Sequence, residues 1–317
     1  MNKILCIGEA LIDMICTDKG KSLADGQNFL KKPGGAPTNV AAAIAALGGH
    51  AGLAAKVGND PFGQHLVYTM QQMGVDTRYM FRDAGHFTTI AFVSLMENGE
   101  RDFVFSRGAD SQLSIEDMAT VPLPEYNIFH FGSATSFLPG PLYEAYKSSR
   151  NKALQQGAFI SFDPNYRHDL FKNNQSFFIS NSMEFIASCN YYKVSDEEAM
   201  MLTATSTLGD AANALGEKSA ATFTITLGKE GTLLCHKEQS KIIPSIPVIP
   251  VDTTGAGDAF VGALLYLLSQ KEVASLHHLG FDDWQAMVHN ANKAGARTCE
   301  YLGAMEAFKH LNNAIFE

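Results

Sequence analysis

The stretch Asp252-Thr253-Thr254-Gly255-Ala256-Gly257-Asp258 leads directly into Ala259-Phe260-Val261-Gly262-Ala263-Leu264-Leu265-Tyr266-Leu267-Leu268, an apolar run typical of a buried helix. Small residues ahead of such a run leave N–H groups open at the helix N-terminus, where the helix dipole adds positive charge and anions bind. A phosphate held there would repel Asp258, so its presence is better explained as a base that takes a proton from an attacking hydroxyl. A capped helix with Asp258 as a complement to the dipole explains the stretch equally well when it is taken alone.

The composition limits the classes of protein and partner. The chain has 317 residues, of which 46% are hydrophobic, so it can bury the core of one large domain, with or without a small attachment. A net charge of −9 argues against nucleic acid or an anionic membrane as the main partner. The five cysteines are scattered without CxxC pairs, which favours reduced thiols and no structural zinc.

We find no pattern of a targeting signal or a membrane span. The start of the chain carries Glu9 and Asp13 close behind its first apolar run, which is untypical of a signal peptide. The longest nearly apolar stretch, 259–268, is far shorter than the roughly 18 residues that a membrane helix needs. We therefore expect a soluble, cytoplasmic protein.

Short β-rich runs alternate with helical patterns along most of the chain. The predicted strands are Ile4–Gly8, Leu53–Val57, Ile128–Gly132, Ala158–Phe162, Asn190–Val194 and Thr222–Leu227. The predicted helices include Pro37–Leu47, Phe62–Met73, Pro141–Gln156 and Glu197–Thr203. This alternation predicts a mainly parallel sheet with helices on both faces, which binds ligands at the carboxyl ends of its strands, where Asp163, Ser195 and Gly228 fall.

One segment departs from the alternation. The β-rich runs Ile90–Met96 and Arg101–Phe105 flank Glu97-Asn98-Gly99-Glu100, and Asn-Gly between such runs is a strong hairpin signal. With residues from about Asp13 to Lys32, the hairpin could form a small separate sheet that serves as a lid and as a dimer surface. The alternative is an antiparallel addition to the edge of the main sheet.

A second glycine-rich segment is Gly34-Gly35-Ala36-Pro37-Thr38-Asn39. Paired glycines let a ligand approach the backbone, and Asn39 can donate to and accept from hydroxyls. Asp13 could accept from two sugar hydroxyls, although a turn and an exposed loop carboxylate explain these residues as well. Neither a P-loop nor G-x-G-x-x-G after the first strand is present. Any phosphate nest must therefore lie elsewhere, and Gly255–Gly257 is the best candidate.

Together these segments resemble the ribokinase-like carbohydrate kinases, also called the PfkB family, over essentially the whole length. The resemblance depends on Gly34–Asn39 running on to Leu47-Gly48-Gly49, and on Asp252–Asp258, in that order. Within the family, four segments are most similar to fructokinases: Gly8–Asp13, Asp163–Arg167, Lys193–Glu198 and Gly303–Met305. The resemblance implies a three-layer α/β/α fold with a mainly parallel central sheet and a small β-sheet lid. It further implies one kinase domain over 1–317 with lid excursions at about 13–33 and 86–108.

The resemblance also implies roles for individual residues. Asp258 would be the catalytic base, and Gly255, Ala256 and Gly257 would form the anion hole for the transferred phosphoryl group. The sugar would be held by Asp13, Gly34, Gly35, Asn39, Arg107 and Arg167. The ATP site would include Lys193, Thr226, Gly228, Gly231 and Asn292. Glu198 would act on Mg²⁺ through water, and Asp252 and Thr254 would serve a monovalent-cation site for K⁺, an option that the sequence leaves open.

The expected activity is ATP-dependent phosphorylation of a primary hydroxyl of a small sugar, with fructose as the leading acceptor and a homodimer formed through the lid. Ser195 stands where the family often has Asn, which weakens the prediction of individual metal contacts. Because Arg167 could bind a carboxylate, 2-keto-3-deoxygluconate kinase remains an alternative. Aminoimidazole riboside kinase is a further alternative, because such kinases are similar to fructokinases. A simple surface pair with Asp169 is the plain explanation of Arg167. A catalytically inactive sugar-binding regulator is the non-enzyme alternative.

Overall fold

The computed structural model describes residues 1–95 and 101–317. The strands in these ranges are β1 Lys3–Ile7, β2 Leu11–Cys16, β3 Phe29–Gly34, β4 His50–Gly58, β5 Met80–Asp83, β6 Ile90–Leu95, β7 Arg101–Ser106, β8 Ile128–Phe131, β9 Phe159–Phe162, β10 Tyr191–Ser195, β11 Thr222–Thr226, β12 Thr232–His236 and β13 Gln239–Ile243. The α-helices are α1 Ala36–Ala46, α2 Pro61–Gln72, α3 Ile115–Ala119, α4 Pro141–Gln155, α5 His168–Phe171, α6 Gln175–Ile186, α7 Asp196–Thr203, α8 Leu208–Lys218, α9 Ala256–Ser269, α10 Phe281–Thr298 and α11 Ala304–Phe308.

The central sheet contains nine strands in the order β13-β12-β11-β10-β9-β8-β1-β4-β5. The seven strands from β11 to β5 run parallel, and β12 and β13 add an antiparallel edge. This arrangement confirms the predicted mainly parallel sheet. The carboxyl ends of β1, β8, β9, β10 and β11 therefore lie along one edge, which is where such sheets bind ligands.

Two hydrophobic cores cover the two faces of the sheet. Side chains along β1 alternate between the two faces of the sheet. Ile4 and Cys6 pack in a core shared with α1, α2, α9, α10 and α11, whereas Leu5 and Ile7 pack in a core shared with α3, α4, α6, α7 and α8. Successive side chains of a strand point to opposite faces, so a strand buried on both sides reads as a continuous apolar run. The predicted three-layer α/β/α fold is confirmed. Among the helices in the described ranges, none combines the length and apolar character that crossing a bilayer requires.

The predicted elements agree closely with the structure. Five of the six predicted strands and the four predicted helices begin and end within one residue of the observed bounds. The exception is β4, which begins at His50 rather than Leu53. The β12–β13 hairpin was not predicted; its turn contains Lys237 with φ 54°, and neither Asn-Gly nor Asp-Gly marks it.

The small second sheet has the order β3-β2-β6-β7. The predicted hairpin strands are confirmed, since β6 pairs antiparallel with β7, and β2 pairs parallel with β6. The predicted turn at 97–100 lies outside the described residues. The alternative of an edge addition is wrong, because β6 pairs with β2, which in turn pairs with β3, instead of extending the central sheet.

Candidate active site

The N-terminus of α9 forms an open nest of backbone donors. Gly255 caps the helix at φ 81°, and a Cβ atom there would come within 2.4 Å of the Cβ of Ala304. The N–H of Ala256 donates to the carbonyl of Thr253 at 3.2 Å. In the described part of the chain, the N–H groups of Gly257 and Asp258 meet no acceptor. The predicted anion hole therefore has the geometry that an anion needs.

Asp258 stands in the first turn of α9 beside these donors. The Nδ2 of Asn39, on α1, donates to its Oδ2 at 2.7 Å. Burial raises the pKa of Asp258 to about 6, although the Asn39 hydrogen bond and the positive charges of Arg167 and Lys193 lower it. The Oδ1 of Asn39 is buried without a hydrogen-bond partner. An unused buried acceptor beside a carboxylate is suited to a hydroxyl of a bound ligand.

Asp13 occupies β2 of the small sheet and faces the same space. Burial raises its pKa to about 7, against the charge of Arg167, while Glu9 and Asp258 raise it further. Gly34 lies diagonally across on β3, where it pairs with Leu11, and it cannot carry a side chain, since a Cβ atom would lie 2.1 Å from Oδ2 of Asp13. The charge of Asp258, in the second signature, thus reaches Asp13 on β2.

Gly35 brings α1 close to the end of β1. Its φ is 104°, and a Cβ atom would approach the carbonyl oxygen of Glu9 to 2.5 Å. The side chain of Glu9 is buried, and its Oε1 accepts from the N–H of Ala36 at 3.1 Å and of Ala134 at 3.3 Å. This support role of Glu9 was not predicted from the sequence. The signal for it was a carboxylate directly after a fully apolar strand.

Arg167 lies above the two carboxylates. Its guanidinium donates to the carbonyl of Tyr166 at 3.0 Å and to Oδ1 of Asn165 at 3.2 Å. Its charge lowers the pKa of both Asp13 and Asp258. Among the described residues, no ion pair joins it to Asp169, so the simple surface pair is not the arrangement observed. Arg167 is exposed and remains a predicted substrate contact.

Lys193, in the middle of β10, and Asp163, directly after β9, form a buried ion pair. The Nζ of Lys193 donates to Oδ2 of Asp163 at 3.0 Å. A Cβ atom placed on Gly257 would lie 3.4 Å from that Nζ, so the ammonium group borders the anion hole. Lys193 was predicted in the ATP site, and its contact with ATP stays a prediction. Asp163 was predicted to lie at a strand end, and its ion pair with Lys193 was not predicted.

Glu198 links two loops at the same edge of the sheet. Its Oε1 accepts from the N–H of Tyr166 and its Oε2 from the N–H of Ser195, both at 2.8 Å. The hydroxyl of Ser195 accepts from the N–H of Glu198, which completes a capping box. Within the described residues, no three acidic, His or Cys side chains converge as a metal cluster. The arrangement fits a Mg²⁺ ion held mainly by phosphates and water, to which Glu198 would bind through water.

The remaining predicted ATP residues surround β11 and β12. Thr226 ends β11, Gly228 has φ 58°, and Gly231 has φ 109°. Asn292 is buried on α10; its Oδ1 accepts from the hydroxyl of Thr232 at 2.6 Å, and its Nδ2 donates to the carbonyl of Ile243 at 2.9 Å. In the described structure, Asn292 therefore holds β12 and β13 together, and a direct contact with ATP stays a prediction.

Asp252 and Thr254 form a compact loop before α9. Asp252 Oδ1 accepts from the N–H of Thr254 at 3.0 Å and its hydroxyl at 2.7 Å, and Oδ2 accepts from the N–H of Gly303 at 2.8 Å. Since these hydrogen bonds engage both carboxylate oxygens, main-chain carbonyls are the groups left for a cation. This fits the predicted role of the loop, which stays a prediction.

Arg107 follows β7 at the base of the small sheet. Its guanidinium donates to the carbonyl of Pro139 at 2.7 Å and of Thr135 at 3.2 Å, and its Nε lies 3.5 Å from Oδ2 of the buried Asp110. These contacts tie the small sheet to the 133–139 loop. The predicted contact with substrate is not among them and stays a prediction.

Comparison with known proteins identifies the class to which this fold and site belong. A family model described as pfkB family carbohydrate kinase matches residues 1–310. The chain belongs to this family, which confirms the resemblance read from the two glycine-rich signatures. It is a phosphotransferase that acts on a sugar.

The relatives narrow the class further. The chain is 38% identical over 307 residues to probable fructokinase-4 of Arabidopsis thaliana, covering 96% of this chain and 93% of that one. A double mutant of fructokinase from Vibrio cholerae O395, in its fructose-, ADP- and potassium-bound form, is 30% identical with a TM-score of 0.85, over 100% of this chain and 97% of that one. Aminoimidazole riboside kinase from Salmonella enterica, bound to its riboside and an ATP analogue, is 29% identical with a TM-score of 0.82, over 99% and 98%.

Proposed function

We propose that this protein is an ATP-dependent fructokinase, which transfers the γ-phosphoryl group of ATP to a primary hydroxyl of fructose. The observation that carries the proposal is the position of Asp258 beside the open N–H groups at the start of α9. A base and an anion hole stand there within one turn of helix. This is the pairing that phosphoryl transfer to an alcohol requires.

Asp258 takes the proton of the attacking hydroxyl. With a pKa of about 6, it is largely ionised at neutral pH yet basic enough to accept a proton in the transition state. The hydrogen bond from Asn39 fixes the carboxylate in one orientation. The hydroxyl oxygen forms a bond to the γ-phosphorus as the bond to the bridging oxygen of ADP breaks, and ADP leaves.

The nest at Gly255–Gly257 receives the negative charge of the transferred group. Its N–H groups are held by the helix before the reaction begins, so no reorganisation is needed as charge moves. Most of the acceleration in phosphoryl transfer comes from such positioning and charge stabilisation. The retention of both Asp258 and the glycines disfavours the inactive-regulator alternative.

The sugar binds between the small sheet and α1. Asp13 offers a carboxylate to its hydroxyls, the Oδ1 of Asn39 offers a free acceptor, and Arg167 lies beside both. Two similarities favour fructose as the acceptor. The chain is similar to probable fructokinase-4 of Arabidopsis thaliana, and it shares its fold over the whole chain with the fructose-bound fructokinase of Vibrio cholerae. Arg167 makes a carboxylate-bearing sugar a further test substrate, and the similarity to aminoimidazole riboside kinase adds its riboside.

ATP would bind along β11 and the turn at Gly228–Gly231, with its phosphates directed at the nest. Mg²⁺ would neutralise the phosphate charge, held mostly by phosphate oxygens and water near Glu198. A K⁺ ion would bind main-chain carbonyls in the Asp252–Thr254 loop and support the geometry of the nest.

We further propose a homodimer formed through the small sheet. The outer strands of that sheet are β3 and β7, and each carries an exposed apolar side chain, Leu30 at 37% and Val104 at 51%. Outer strands of a sheet favour pairing with another chain. Light scattering of the wild type and of Leu30→Asp tests the proposed dimer. A dimeric wild type that becomes monomeric in the variant supports the proposal, and a monomeric wild type overturns it. The five cysteines are unpaired thiols, which supports a reducing, cytoplasmic location.

A coupled ADP-release assay tests the proposed activity. The substrates are fructose, ribose, adenosine, 2-keto-3-deoxygluconate and aminoimidazole riboside, each at the same concentration with Mg-ATP. We expect fructose to give the highest kcat/KM. If another substrate gives a higher kcat/KM, that substrate replaces fructose as the proposed acceptor. No ADP release above background with any of the five substrates would refute the kinase function.

A further inference from the structure

The helix that carries Asn39 has no cap of its own. α1 begins after Gly35, which has no side chain that could accept from the first N–H groups, and its first turn contains no acidic residue. N–H groups left without an acceptor at a buried helix start are costly. The first N–H of the helix, that of Ala36, donates instead to Oε1 of Glu9 at 3.1 Å. The cap of α1 therefore comes from the residue between β1 and β2, far back in the chain.

The same carboxyl group holds the loop that follows β8. Its Oε1 also accepts from the N–H of Ala134 at 3.3 Å, and its Oε2 accepts from the hydroxyl of Ser133. Glu9 is 1% exposed, so water does not compete for these hydrogen bonds. The two oxygens serve donors from two elements, and they fix the start of α1 against the loop.

A second contact ties α1 to the same residue. The hydroxyl of Thr38 donates to the carbonyl of Glu9 at 2.9 Å, and a Cβ atom on Gly35 would come within 2.5 Å of that oxygen. This close approach brings Ala36 within reach of the carboxyl group. The N–H of Asn39 donates to the carbonyl of Gly35 at 2.9 Å. The position of Asn39 is thus set by the turn that Glu9 holds.

The other helix of the site begins differently. α9 also begins after a glycine, Gly255, yet in the described part of the chain the N–H groups of Gly257 and Asp258 meet no acceptor. The start of α9 is open to the phosphoryl charge of the proposed reaction, whereas the carboxyl group of Glu9 takes the place that an anion would have at α1. What α1 brings to the site is Asn39, which donates to Asp258 at 2.7 Å.

We propose that Glu9 is a positioning residue for phosphoryl transfer: it holds the first turn of α1 in place, so that Asn39 orients the base Asp258. This inference rests on the proposed kinase function and specifies one part of it. Glu9 is buried and touches neither the substrate nor the reacting atoms. Its effect on the rate arises because a displacement of about 1 Å at a reacting group can cost about 10²-fold.

The first test compares Glu9→Gln with Glu9→Leu, which are both uncharged. Glutamine keeps an oxygen for the N–H groups of Ala36 and Ala134, and its amide can donate to the hydroxyl of Ser133, whereas leucine offers no acceptor. We expect kcat per folded enzyme to fall about 10²-fold in Glu9→Leu and to stay within about threefold of wild type in Glu9→Gln. Equal kcat values for the two variants would overturn the positioning role.

Asp117→Leu is the matched control for general destabilisation. The Oδ2 of Asp117 caps α3 by accepting from the N–H of Ser114 at 2.9 Å and also accepts from Lys56 at 2.8 Å. Its helix packs in the core on the opposite face of the central sheet from α1. Asp117→Leu should therefore lower the Tm and keep kcat. If it loses as much kcat as Glu9→Leu, the loss reflects destabilisation alone and the inference fails.

A double-mutant cycle with Asn39→Ala tests the route to the base. If Glu9 acts through Asn39, replacing Glu9 has little further effect once the amide is gone. With saturating substrates, Glu9→Leu should lower kcat less than about threefold in the Asn39→Ala background, compared with about 10²-fold in the wild type. A double variant that loses the product of the two single effects would contradict this route.

Glu9→Asp replaces Glu9→Leu in these tests if the leucine variant does not fold. Aspartate keeps a carboxyl group beside the 133–135 loop but is one methylene shorter, which draws its oxygens away from the N–H of Ala36. Its kcat should be at least about tenfold below that of Glu9→Gln. Equal kcat values for Glu9→Asp and Glu9→Gln would overturn the role of the contact with α1.

Titration of Asp258 separates failure of this inference from failure of the proposed function. The hydrogen bond from Asn39 lowers the pKa of Asp258, so its loss in Glu9→Leu should raise that pKa above the value in Glu9→Gln. The other charged groups near Asp258 are the same in both variants: Asp13, Asp163, Arg167 and Lys193.

Carboxyl-carbon NMR of protein labelled at aspartate, with Asp258→Asn to assign the resonance, measures this pKa whether or not a sugar is turned over. Equal pKa values of Asp258 in Glu9→Leu and Glu9→Gln would refute the inference. A higher pKa in Glu9→Leu, together with no turnover of any acceptor, would refute the proposed function and still support the positioning of Asp258 by Glu9.

Discussion

Asn39 and Asp258 are 219 positions apart in the chain, and the Nδ2 of Asn39 donates to Oδ2 of Asp258 at 2.7 Å. The contact joins the two glycine-rich signatures, because Asn39 lies in α1 and Asp258 in the first turn of α9. Close packing of these helices makes it: a Cβ atom on Gly262 would come within 2.6 Å of the Cβ of Ala43. The base is thus oriented by the element that also borders the sugar site.

Asp258→Asn should abolish turnover while fructose binding persists. The replacement keeps the size of the side chain but cannot accept the hydroxyl proton, and a positioned base contributes about 10²–10⁴ in rate. ADP release gives kcat, and calorimetry gives the Kd of fructose. Glu197→Gln, an exposed acid in the first turn of α7, is the matched control and should keep activity. Near-normal turnover of Asp258→Asn would show that Asp258 is not the base.

The activity should fall on the acidic side with an apparent pKa near 6. The pKa of Asp258 is raised to about 6, and only its ionised form accepts a proton, so kcat/KM should drop about tenfold per unit below that pH. Initial rates between pH 5 and 8 in buffers of constant ionic strength measure this fall of kcat/KM on the acidic side. A flat profile down to pH 5 would contradict the assignment.

Removing the charge of Asp258 should stabilise the protein at neutral pH but not in acid. The pKa of Asp258 in the folded state is raised above the unfolded value of 3.8, so the folded state binds a proton on this group more tightly than the unfolded state does. The contribution of Asp258 to the free energy of unfolding therefore falls as pH rises from about 4 to 6. Asp258→Asn should therefore raise the Tm by about 1–3 °C at pH 7.5 and leave it unchanged at pH 4. Thermal unfolding at both pH values checks the sign.

Gly255→Ala should destabilise the fold and lower kcat together. At φ 81° a side chain costs about 1–2 kcal/mol, and the 2.4 Å approach to Ala304 adds an overlap that displaces the nest. Gly216→Ala is the control: this glycine lies inside α8 with nothing within 4 Å of its Cβ position, and it should gain about 0.5–1 kcal/mol. Urea unfolding and ADP release measure both. Equal stability of the two variants would refute the strain argument.

Potassium should raise kcat relative to a bulky organic cation at the same ionic strength. A cation on the carbonyls of the Asp252–Thr254 loop would stabilise the turn that leads into Gly255. Rates in K⁺ and in tetramethylammonium, for wild type and for Asp252→Ala, measure the effect. The kcat of Asp252→Ala should be the same in both salts. A wild-type kcat that is equal in K⁺ and in tetramethylammonium would exclude the monovalent-cation site.

Much of this protein was predictable from local sequence patterns. The alternation of β-rich and helical runs predicted the parallel sheet and most element bounds, because period and turn chemistry are properties of neighbouring residues. The resemblance carried by Gly34–Asn39 and Asp252–Asp258 predicted the family. The β12–β13 hairpin escaped prediction, since its turn relies on a single residue with positive φ, Lys237.

The partners of the side chains were decided by the tertiary structure. The amide of Asn292 hydrogen-bonds Thr232 and Ile243, and its contact with ATP stays a prediction. The guanidinium of Arg107 binds the 133–139 loop, and its contact with the sugar stays a prediction. No local pattern indicates these protein partners, because they come from strands and loops that are distant in sequence.

By itself, the sequence determined the order of elements, the open helix start at Gly255–Gly257 and the presence of a carboxylate in its first turn. Only the tertiary structure decided that Asp258 has a pKa near 6 and that Asp163 and Lys193, 30 positions apart, meet at 3.0 Å beside Gly257. The physical reason is that helix and strand formation depend on near neighbours, whereas ionisation depends on burial and on charges within a few ångströms in space.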